Sequence, residues 1–489
     1  MFETAEVGNK TEKAEYKRQE PKLRTALLEA QRGLAGSDFS VVLLIGGVEG
    51  AGKTEFANQL LEWLDARGIA VHAWGEPTDE ERERPFFWKF WRVLPAKRKA
   101  AFLMTSWYSE PIIDRVFKAA SPAQFDQRLD QVIGFESMLA KEGVLLIKLW
   151  FHLSKAEQKR RFSELEKDPD TRWRVTKQDW KFHRRYDRFR KVCGHALMKT
   201  STGEAPWYVV EAADRRYRNL TAGRLILDAL QRKLKDQTAR SPGSPDRSRP
   251  KPNNVIRRLD LRRSLDAAKF ERRLEKLQGR LGALTRKLHK AGRSLTLVLE
   301  GPDAAGKGGA IRRLTGAMDA RLYRVNSVAA PTDEEKARPY LWRFWRDLPR
   351  VGRVTIYDRS WYGRVLVERV EGFAGQEQWQ RAYSEINSFE SQLAEFGTIV
   401  LKFWIAISAA EQLRRFQDRQ KTPYKQYKIT DEDWRNRAQW GAYEAAACEM
   451  VERTSTEYAP WILVEGNDKR WARIQLLQSV TDALERSLR

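Results

Sequence analysis

Cysteine and long apolar runs are scarce in this sequence of 489 residues. Its two cysteines, Cys193 and Cys448, are too few for a disulfide framework or a cysteine zinc site. No stretch approaches the roughly 18 apolar residues of a membrane span, and residues 1–6 do not resemble a secretion signal. The five histidines share no ligand spacing. These absences argue against a secreted or membrane protein and favour a cytoplasmic location.

Acidic residues are also in deficit. The chain has 66 Asp and Glu against 90 Lys and Arg, which gives a net charge of +24. Such a surplus attracts polyanions such as nucleic acid, anionic membrane or polyphosphate. The hydrophobic fraction of 42% is enough for packed cores, and the length indicates more than one domain.

Sequence landmarks recur with a constant offset of 254 residues, for example from Gly47 to Gly301 and from Pro77 to Pro331. This period is too long for a solenoid and indicates a duplicated domain. A stretch rich in Ser, Pro and Gly separates the copies and is typical of a linker. We therefore predict a loose N-terminal arm, a first domain, a linker and a second domain at residues 1–20, 21–234, 235–254 and 255–489.

Each copy alternates apolar strands with helical stretches. This order predicts an α/β fold in which each domain has a parallel sheet flanked by helices. In the second copy, the apolar run Leu295–Leu299 precedes the Gly-rich stretch Gly301–Gly309, and a helical stretch follows. A strand, a Gly-rich turn, a Lys and a helix form a P-loop, whose backbone N–H groups and Lys bind phosphates. We predict phosphate binding by Ala304, Ala305, Gly306, Lys307, Gly308 and Gly309, in two tandem P-loop kinase-like domains, each with a helical lid.

The two copies differ where phosphoryl transfer would need charge. The pair Asp358-Arg359 stands where the first copy has Met104-Thr105. P-loop kinases place a metal-binding Asp at such a strand end, and Mg²⁺ prefers oxygen ligands. Further differences are Asp303 against Glu49, Arg419 against Leu165 and Arg364 against Glu110. We therefore predict that the second copy is the active one.

One motif favours the first copy. Lys53-Thr54 completes the pattern G-x-x-x-x-G-K-[ST], whereas Lys307 is followed by Gly308. A missing strand-end Asp weighs more than a missing Thr, because Asp303 can replace the hydroxyl as a metal ligand. Arg338 and Arg364 are further candidates for phosphate binding, and for Arg338 the alternative is a solvated helix face. The Trp-rich stretches favour core packing over base stacking, because the first copy retains them.

Three motifs together resemble the second family of polyphosphate kinases: Gly-x-Asp-x-x-Gly-Lys-Gly-Gly at 301–309, Pro-Thr-Asp-Glu-Glu with Arg-Pro at 331–339, and Asp-Arg-Ser-Trp-Tyr-Gly-Arg at 358–364. The two-copy layout is similar to the fused members of that family. The resemblance implies transfer of a terminal phosphate from inorganic polyphosphate to AMP, giving ADP, with Mg²⁺ or alternatively Mn²⁺. It also implies a homo-oligomer, a dimer or larger.

The resemblance assigns roles to individual residues. Asp303 and Asp358 would hold the metal, Lys307 and Arg359 would stabilise the transferring phosphate, and Arg419 would be the lid cation. Two other functions stay open: an ATP-dependent nucleotide or nucleoside kinase, and a polyanion- or nucleic-acid-binding protein with a vestigial kinase fold. Nucleic acid is not expected as the physiological partner. The preference for AMP over GMP, the use of ADP as acceptor, and the choice between direct transfer and a phospho-enzyme also stay open.

Overall fold

The computed structural model describes residues 1–238 and 254–489. Most of the predicted linker, residues 235–254, lies outside the described residues. Its first residues continue helix α10, which ends at Thr238.

The first copy contains a five-stranded parallel sheet in the order β2-β3-β1-β4-β5. Its strands are β1 Ser40–Gly47, β2 Ile69–His72, β3 Ala100–Leu103, β4 Val144–His152 and β5 Trp207–Glu211. Its helices are α1 Lys13–Ala35, α2 Lys53–Trp63, α3 Asp79–Arg82, α4 Trp88–Arg92, α5 Ser109–Phe117, α6 Pro122–Lys141, α7 Lys155–Lys167, α8 Lys177–His183, α9 Tyr186–Thr200 and α10 Arg215–Thr238.

The second copy repeats this topology in the order β7-β8-β6-β9-β10. Its strands are β6 Ser294–Glu300, β7 Tyr323–Ser327, β8 Val354–Asp358, β9 Thr398–Ala406 and β10 Trp461–Glu465. Its helices are α11 Ala267–Lys290, α12 Lys307–Thr315, α13 Asp333–Lys336, α14 Trp342–Arg346, α15 Val367–Val370, α16 Gln376–Glu395, α17 Ala409–Lys421, α18 Asp431–Ala438, α19 Trp440–Thr454 and α20 Lys469–Ser487. The predicted pair of parallel α/β sheets is confirmed.

The strand registers also repeat. Val41 pairs with Ala100 in the first sheet, and Leu295 pairs with Val354 in the second. All seven residues of β6 are buried, as expected for a central parallel strand covered on both faces. Because every strand of a parallel sheet ends at the same edge, the loop after β6 and the end of β8 come together there.

Packing divides the chain into two compact units that differ slightly from the sequence copies. The first unit comprises Met1–Thr78, Phe87–Gly243 and Pro331–Arg346, and the second comprises Asp79–Phe86, Ser244–Ala330 and Asp347–Arg489. The predicted boundaries thus follow the repeat in the sequence rather than the packing units.

The N-terminal segment is not the loose arm that the sequence predicts. Phe2 is buried and stacks on His152 with ring centroids 4.5 Å apart. The backbone N–H groups of Gly8 and Asn9 donate to the carboxylate of Glu211, and α1 begins at Lys13. A few isolated contacts, including that of Glu6 with His152 at 2.7 Å, hold the segment before α1, and such contacts leave no periodic pattern in the sequence.

Burial confirms the packing interpretation of the Trp-rich stretches, since Trp88, Trp91, Trp342, Trp345 and Trp361 are all buried. Within residues 1–238 and 254–489, no helix has both the length and the apolar character needed to cross a membrane.

Candidate active site

The second P-loop connects the end of β6 to the start of α12. Gly301 has a φ of 147°, and a Cβ there would lie 2.5 Å from the carbonyl oxygen of Ile405. Gly306, with a φ of 113°, begins α12 in the left-handed region. Only glycine fits the first position, and the second also favours it. The ammonium of Lys307 donates to the carbonyls of Gly301 at 2.7 Å and Pro302 at 3.3 Å, which holds it over the loop.

A cavity of about 570 Å³ opens over this P-loop. It brings together ten of the predicted residues: Asp303, Ala304, Ala305, Gly306, Lys307, Gly308, Gly309, Asp358, Arg359 and Arg419. Its lining also includes Arg312, Arg313, Arg415, Asp418, Asp433, Lys469 and Arg473. Four of these cations, Arg312, Arg313, Lys469 and Arg473, are called the basic cluster below. The cavity therefore combines a phosphate-binding loop, carboxylates and an excess of positive charge.

Two predicted phosphate ligands do not line this cavity. Arg338 belongs to the first compact unit, where its guanidinium donates to the carbonyls of Glu334 and Leu94. Arg364 pairs with Glu368 at 2.9 Å. Their phosphate-binding roles stay predictions.

Asp303 is held by two donors at the centre of the site. One carboxylate oxygen accepts from Arg359 at 2.8 Å, and the other accepts from the side-chain amide of Asn436 at 3.0 Å. Burial alone would raise the pKa of Asp303, but Lys307, Arg359 and the Asn436 hydrogen bond together lower it. The carboxylate is therefore ionised near neutral pH. Arg359 has a φ of 62°, an uncommon conformation for a non-glycine residue that is typical of functional sites.

Asp358 ends β8 beside Leu299 of β6. Its backbone carbonyl accepts from Val328, whereas no described side chain pairs with its carboxylate. In the described part of the chain, no three His, Cys, Asp or Glu side chains form a preformed metal site. The donor set still fits Mg²⁺, because this ion is commonly bound by one or two carboxylates, with water and substrate phosphates completing its octahedron.

Comparisons with known proteins identify related sequences and structures. A family model described as Polyphosphate kinase 2 matches residues 10–238 and 264–489. This chain belongs to the polyphosphate kinase 2 family. It is 50% identical over 489 residues to a polyphosphate:AMP phosphotransferase from Pseudomonas aeruginosa, covering 99% of each chain. A protein of the same name from Acinetobacter johnsonii is 36% identical, over 95% of this chain and 96% of the relative.

A solved structure supports the same family. The crystal structure of a polyphosphate kinase 2 from Pseudomonas aeruginosa superimposes with a TM-score of 0.91 at 48% identity, covering 100% of this chain and 99% of the other. Shorter family members also match. An ADP-polyphosphate phosphotransferase from Pseudomonas aeruginosa is 39% identical over 213 residues, which is 44% of this chain and 70% of that relative.

The first P-loop is internally paired. The ammonium of Lys53 lies 3.2 Å from the carboxylate of Glu49. Arg218 is fully buried beneath the loop, where it donates to the carbonyl of Ala51 and pairs with Glu55 at 3.4 Å. Residues of the chain itself thus neutralise the cation that would otherwise meet a phosphate.

The second copy differs at the same positions. Alanine, Ala472, stands in place of Arg218, and Gly309 stands in place of Glu55. The basic cluster differs as well, because three of its positions carry uncharged Asn58, Gln59 and Asn219 in the first copy. Sequence motifs did not identify these differences, although a full comparison at the 254-residue offset contains them.

Two further residues of the site were not among the predicted site residues. Glu300 is buried at the end of β6 and accepts a hydrogen bond from Ser360 at 2.8 Å. Burial raises the pKa of Glu300, and the first copy has Gly46 at this position. Arg415 is buried and donates to the carbonyls of Ala304, Ala305, Gly466 and Asn467. It therefore fixes the backbone of the P-loop.

Proposed function

We propose that this chain transfers the terminal phosphate of inorganic polyphosphate to AMP, and that the second copy carries out the reaction. One observation carries the proposal: the cavity at the second P-loop unites Lys307, Asp303, Asp358 and Arg359, whereas the first copy has Glu49, Met104 and Thr105 at the last three positions. Relatives that match this chain over their full length are named polyphosphate:AMP phosphotransferases.

The reaction is an in-line displacement. An oxygen of the AMP phosphate forms a bond to the terminal phosphorus of polyphosphate, and the bridging P–O bond to the next unit breaks. The products are ADP and polyphosphate shortened by one unit. Phosphoryl transfer depends mainly on positioning and on stabilising charge. Lys307, held over the P-loop, and Arg359, anchored by Asp303, supply cations to the phosphate oxygens.

A divalent metal fits Asp303 and Asp358. When bound there, Mg²⁺ or Mn²⁺ would neutralise charge on the phosphate oxygens. The two carboxylates differ in what they contact: Asp303 is fixed by Arg359 and Asn436, whereas Asp358 has no described partner. Asp358 is therefore available to a ligand without losing an internal contact.

We infer that the basic cluster binds the polyphosphate donor. Burial lowers the pKa of Arg473, and the nearby charges of Arg313 and Arg415 lower it further. Mutual repulsion of this kind is relieved when an anion binds. Polyphosphate is a chain of anionic units, so several adjacent cations can hold several units at once.

The basic cluster can be tested with residues taken from the first copy. Arg313→Gln and Arg473→Asn should raise the KM for polyphosphate about tenfold each and leave the KM for AMP within about twofold, since the loss of one charge-assisted contact is worth about 1.4 kcal/mol. Arg262→Gln, at an exposed arginine that pairs with Asp260, is the matched control. An equal rise in the KM for AMP would show that the cluster does not bind the donor selectively.

The activity itself is tested directly. Purified protein mixed with AMP, polyphosphate and Mg²⁺, with no ATP present, should form ADP. No ADP under these conditions, together with ADP formation when ATP is the donor, would favour the ATP-dependent alternative. A comparison of AMP with ADP as the phosphate acceptor tests whether this chain has the activity of the shorter relative, which is named an ADP-polyphosphate phosphotransferase. The homo-oligomer expected from the sequence stays a prediction.

A further inference from the structure

We propose that Asn436, Tyr443 and Glu371 form a hydrogen-bonded chain that positions the carboxylate of Asp303 for catalysis. This chain is called the orienting chain below. The inference rests on the proposed role of Asp303 in the second copy. It adds three positioning residues that none of the sequence motifs contains.

Asn436 of α18 is the link to the carboxylate. Its amide nitrogen donates to Asp303 at 3.0 Å, and its amide oxygen accepts from the hydroxyl of Tyr443 at 3.1 Å. An ionised carboxylate can only accept a hydrogen bond, so the NH₂ group must face Asp303 and the amide oxygen must face Tyr443. The Tyr443 hydroxyl thus fixes which way the amide points.

Glu371 lies at the far end of the orienting chain. Its carboxylate accepts from Tyr443 at 3.3 Å and Gln439 at 2.9 Å, and it pairs with Arg435 at 3.0 Å. The single hydroxyl proton of Tyr443 is therefore shared between Asn436 and Glu371. Burial and the neighbouring Glu371 raise the pKa of Tyr443, so the hydroxyl stays protonated and remains a donor.

The first copy replaces all three members of the orienting chain with phenylalanine. Phe117, Phe182 and Phe189 occupy the positions of Glu371, Asn436 and Tyr443. The phenylalanines pack edge to face, with ring centroids 5.3 Å apart for Phe117–Phe182 and 6.0 Å apart for Phe182–Phe189.

The two flanking donors of the chain change as well. Lys181 and Arg185 replace Arg435 and Gln439, and both cations lie over the Phe117 ring, at 4.9 Å and 4.8 Å. Five positions have therefore changed together from a polar chain to a cation-capped apolar cluster.

A scaffold contact beside the orienting chain is retained in both copies. Gln412 donates to the backbone carbonyl of Asp303 at 3.1 Å, and Gln158 donates to that of Glu49 at 2.9 Å. The hydrogen bond from glutamine to the P-loop backbone thus occurs in both copies. The hydrogen bonds that orient the side chain of Asp303 occur only in the second copy, which also has Asp358 and Arg359. This difference identifies the orienting chain as functional rather than structural.

The test uses Asn436→Leu, Tyr443→Phe and the double variant. Asn436→Leu removes a hydrogen bond to a charged group, so it should lower kcat about 10- to 100-fold, with the KM values for AMP and polyphosphate within about twofold. Tyr443→Phe should lower kcat about three- to tenfold. Because both changes break one chain, the double variant should lose no more than Asn436→Leu alone. Full additivity of the two losses would overturn the proposal.

A second readout avoids turnover. The Mg²⁺ concentration that gives half of the thermal shift with tripolyphosphate should rise in both single variants, while the Tm of unliganded Tyr443→Phe stays within about 2 °C of the parent. Tyr458→Phe, which removes only a hydroxyl bonded to the carbonyl of Asn387, is the matched control. A lowered Tm with unchanged kcat would reduce the chain to a structural role and overturn the proposal.

Asp303→Asn distinguishes a failure of the proposed role of Asp303 from a failure of the orienting chain. If this variant keeps its activity, the proposed role of Asp303 fails, and the orienting chain has nothing to position. If it is inactive while Asn436→Leu and Tyr443→Phe match the parent, only the orienting chain is wrong.

Discussion

Replacing Asp358 by Asn should remove catalysis without removing stability. No described side chain pairs with the carboxylate of Asp358, so the change breaks no internal hydrogen bond, and the free energy of unfolding should move by less than about 0.5 kcal/mol. The transition state should lose much more, because a metal acting on phosphoryl oxygens is worth several kcal/mol. A loss of about 4 kcal/mol corresponds to a roughly 10³-fold lower kcat.

The assay measures ADP formed from AMP and polyphosphate, with chemical denaturation of the same preparation as the measure of stability. Asp303→Asn is the matched comparison, because it should lose activity and also weaken the contacts that Asp303 makes with Arg359 and Asn436. A kcat within tenfold of the parent in Asp358→Asn would refute the assignment of a metal ligand at the end of β8. A large decrease in the free energy of unfolding would refute the conclusion that the Asp358 carboxylate makes no internal contact with a described side chain.

Three further outcomes follow from charge. Lys402 is fully buried against Glu390 at 2.6 Å, so Lys402→Met should lower the free energy of unfolding by about 3–5 kcal/mol in chemical denaturation. Lys148→Met, at the equivalent pair in the first copy, should have the same effect. An unchanged free energy of unfolding in either variant would contradict a structural role for these pairs. Raising the salt concentration from 50 to 300 mM should raise the KM for long polyphosphate by on the order of tenfold and change the KM for AMP far less. Steady-state kinetics measures both constants, and equal changes in the two KM values would argue against a multivalent donor site. Burial lowers the pKa of His152 below 6.5 even though Glu6 raises it. The unfolded chain therefore binds this proton more tightly, and the stability of the fold should decrease as the pH drops below about 6.5. In thermal melts His152→Gln should make stability depend less on pH in this range, and an unchanged dependence would contradict the role of His152.

The repeat made much of the fold predictable. The constant offset, the apolar strand runs and the Gly-rich loops indicated two α/β domains with parallel sheets, and the structure contains these two sheets. The proposed catalytic residues Asp303, Lys307, Asp358 and Arg359 lie in short motifs next to strand ends, and the structure places all four around one cavity. Parallel topology brings such ends to one edge, so local sequence was enough.

Residues that reach the site from distant helices were not predictable in this way. Asn436 contacts Asp303 across 133 positions of sequence, and no local pattern marks an amide that orients a carboxylate. The sequence places Glu300 at the end of a strand but does not show that its carboxylate is buried. The contact of Phe2 with His152 joins two residues far apart in sequence, and no repeating pattern marks either of them. The signal for Asn436 is instead the coordinated appearance of Phe117, Phe182 and Phe189 in the other copy.

The second P-loop is the one proposed to transfer phosphate, and the first is proposed to be inactive. The most direct measurement compares Lys307→Ala with Lys53→Ala in the reaction of AMP with polyphosphate and Mg²⁺, without ATP. Lys307→Ala should lower kcat by about 10³-fold or more, because it removes the cation over the catalytic loop. Lys53→Ala should keep most of kcat, since Glu49 already neutralises that lysine. Equal losses in the two variants would contradict the claim.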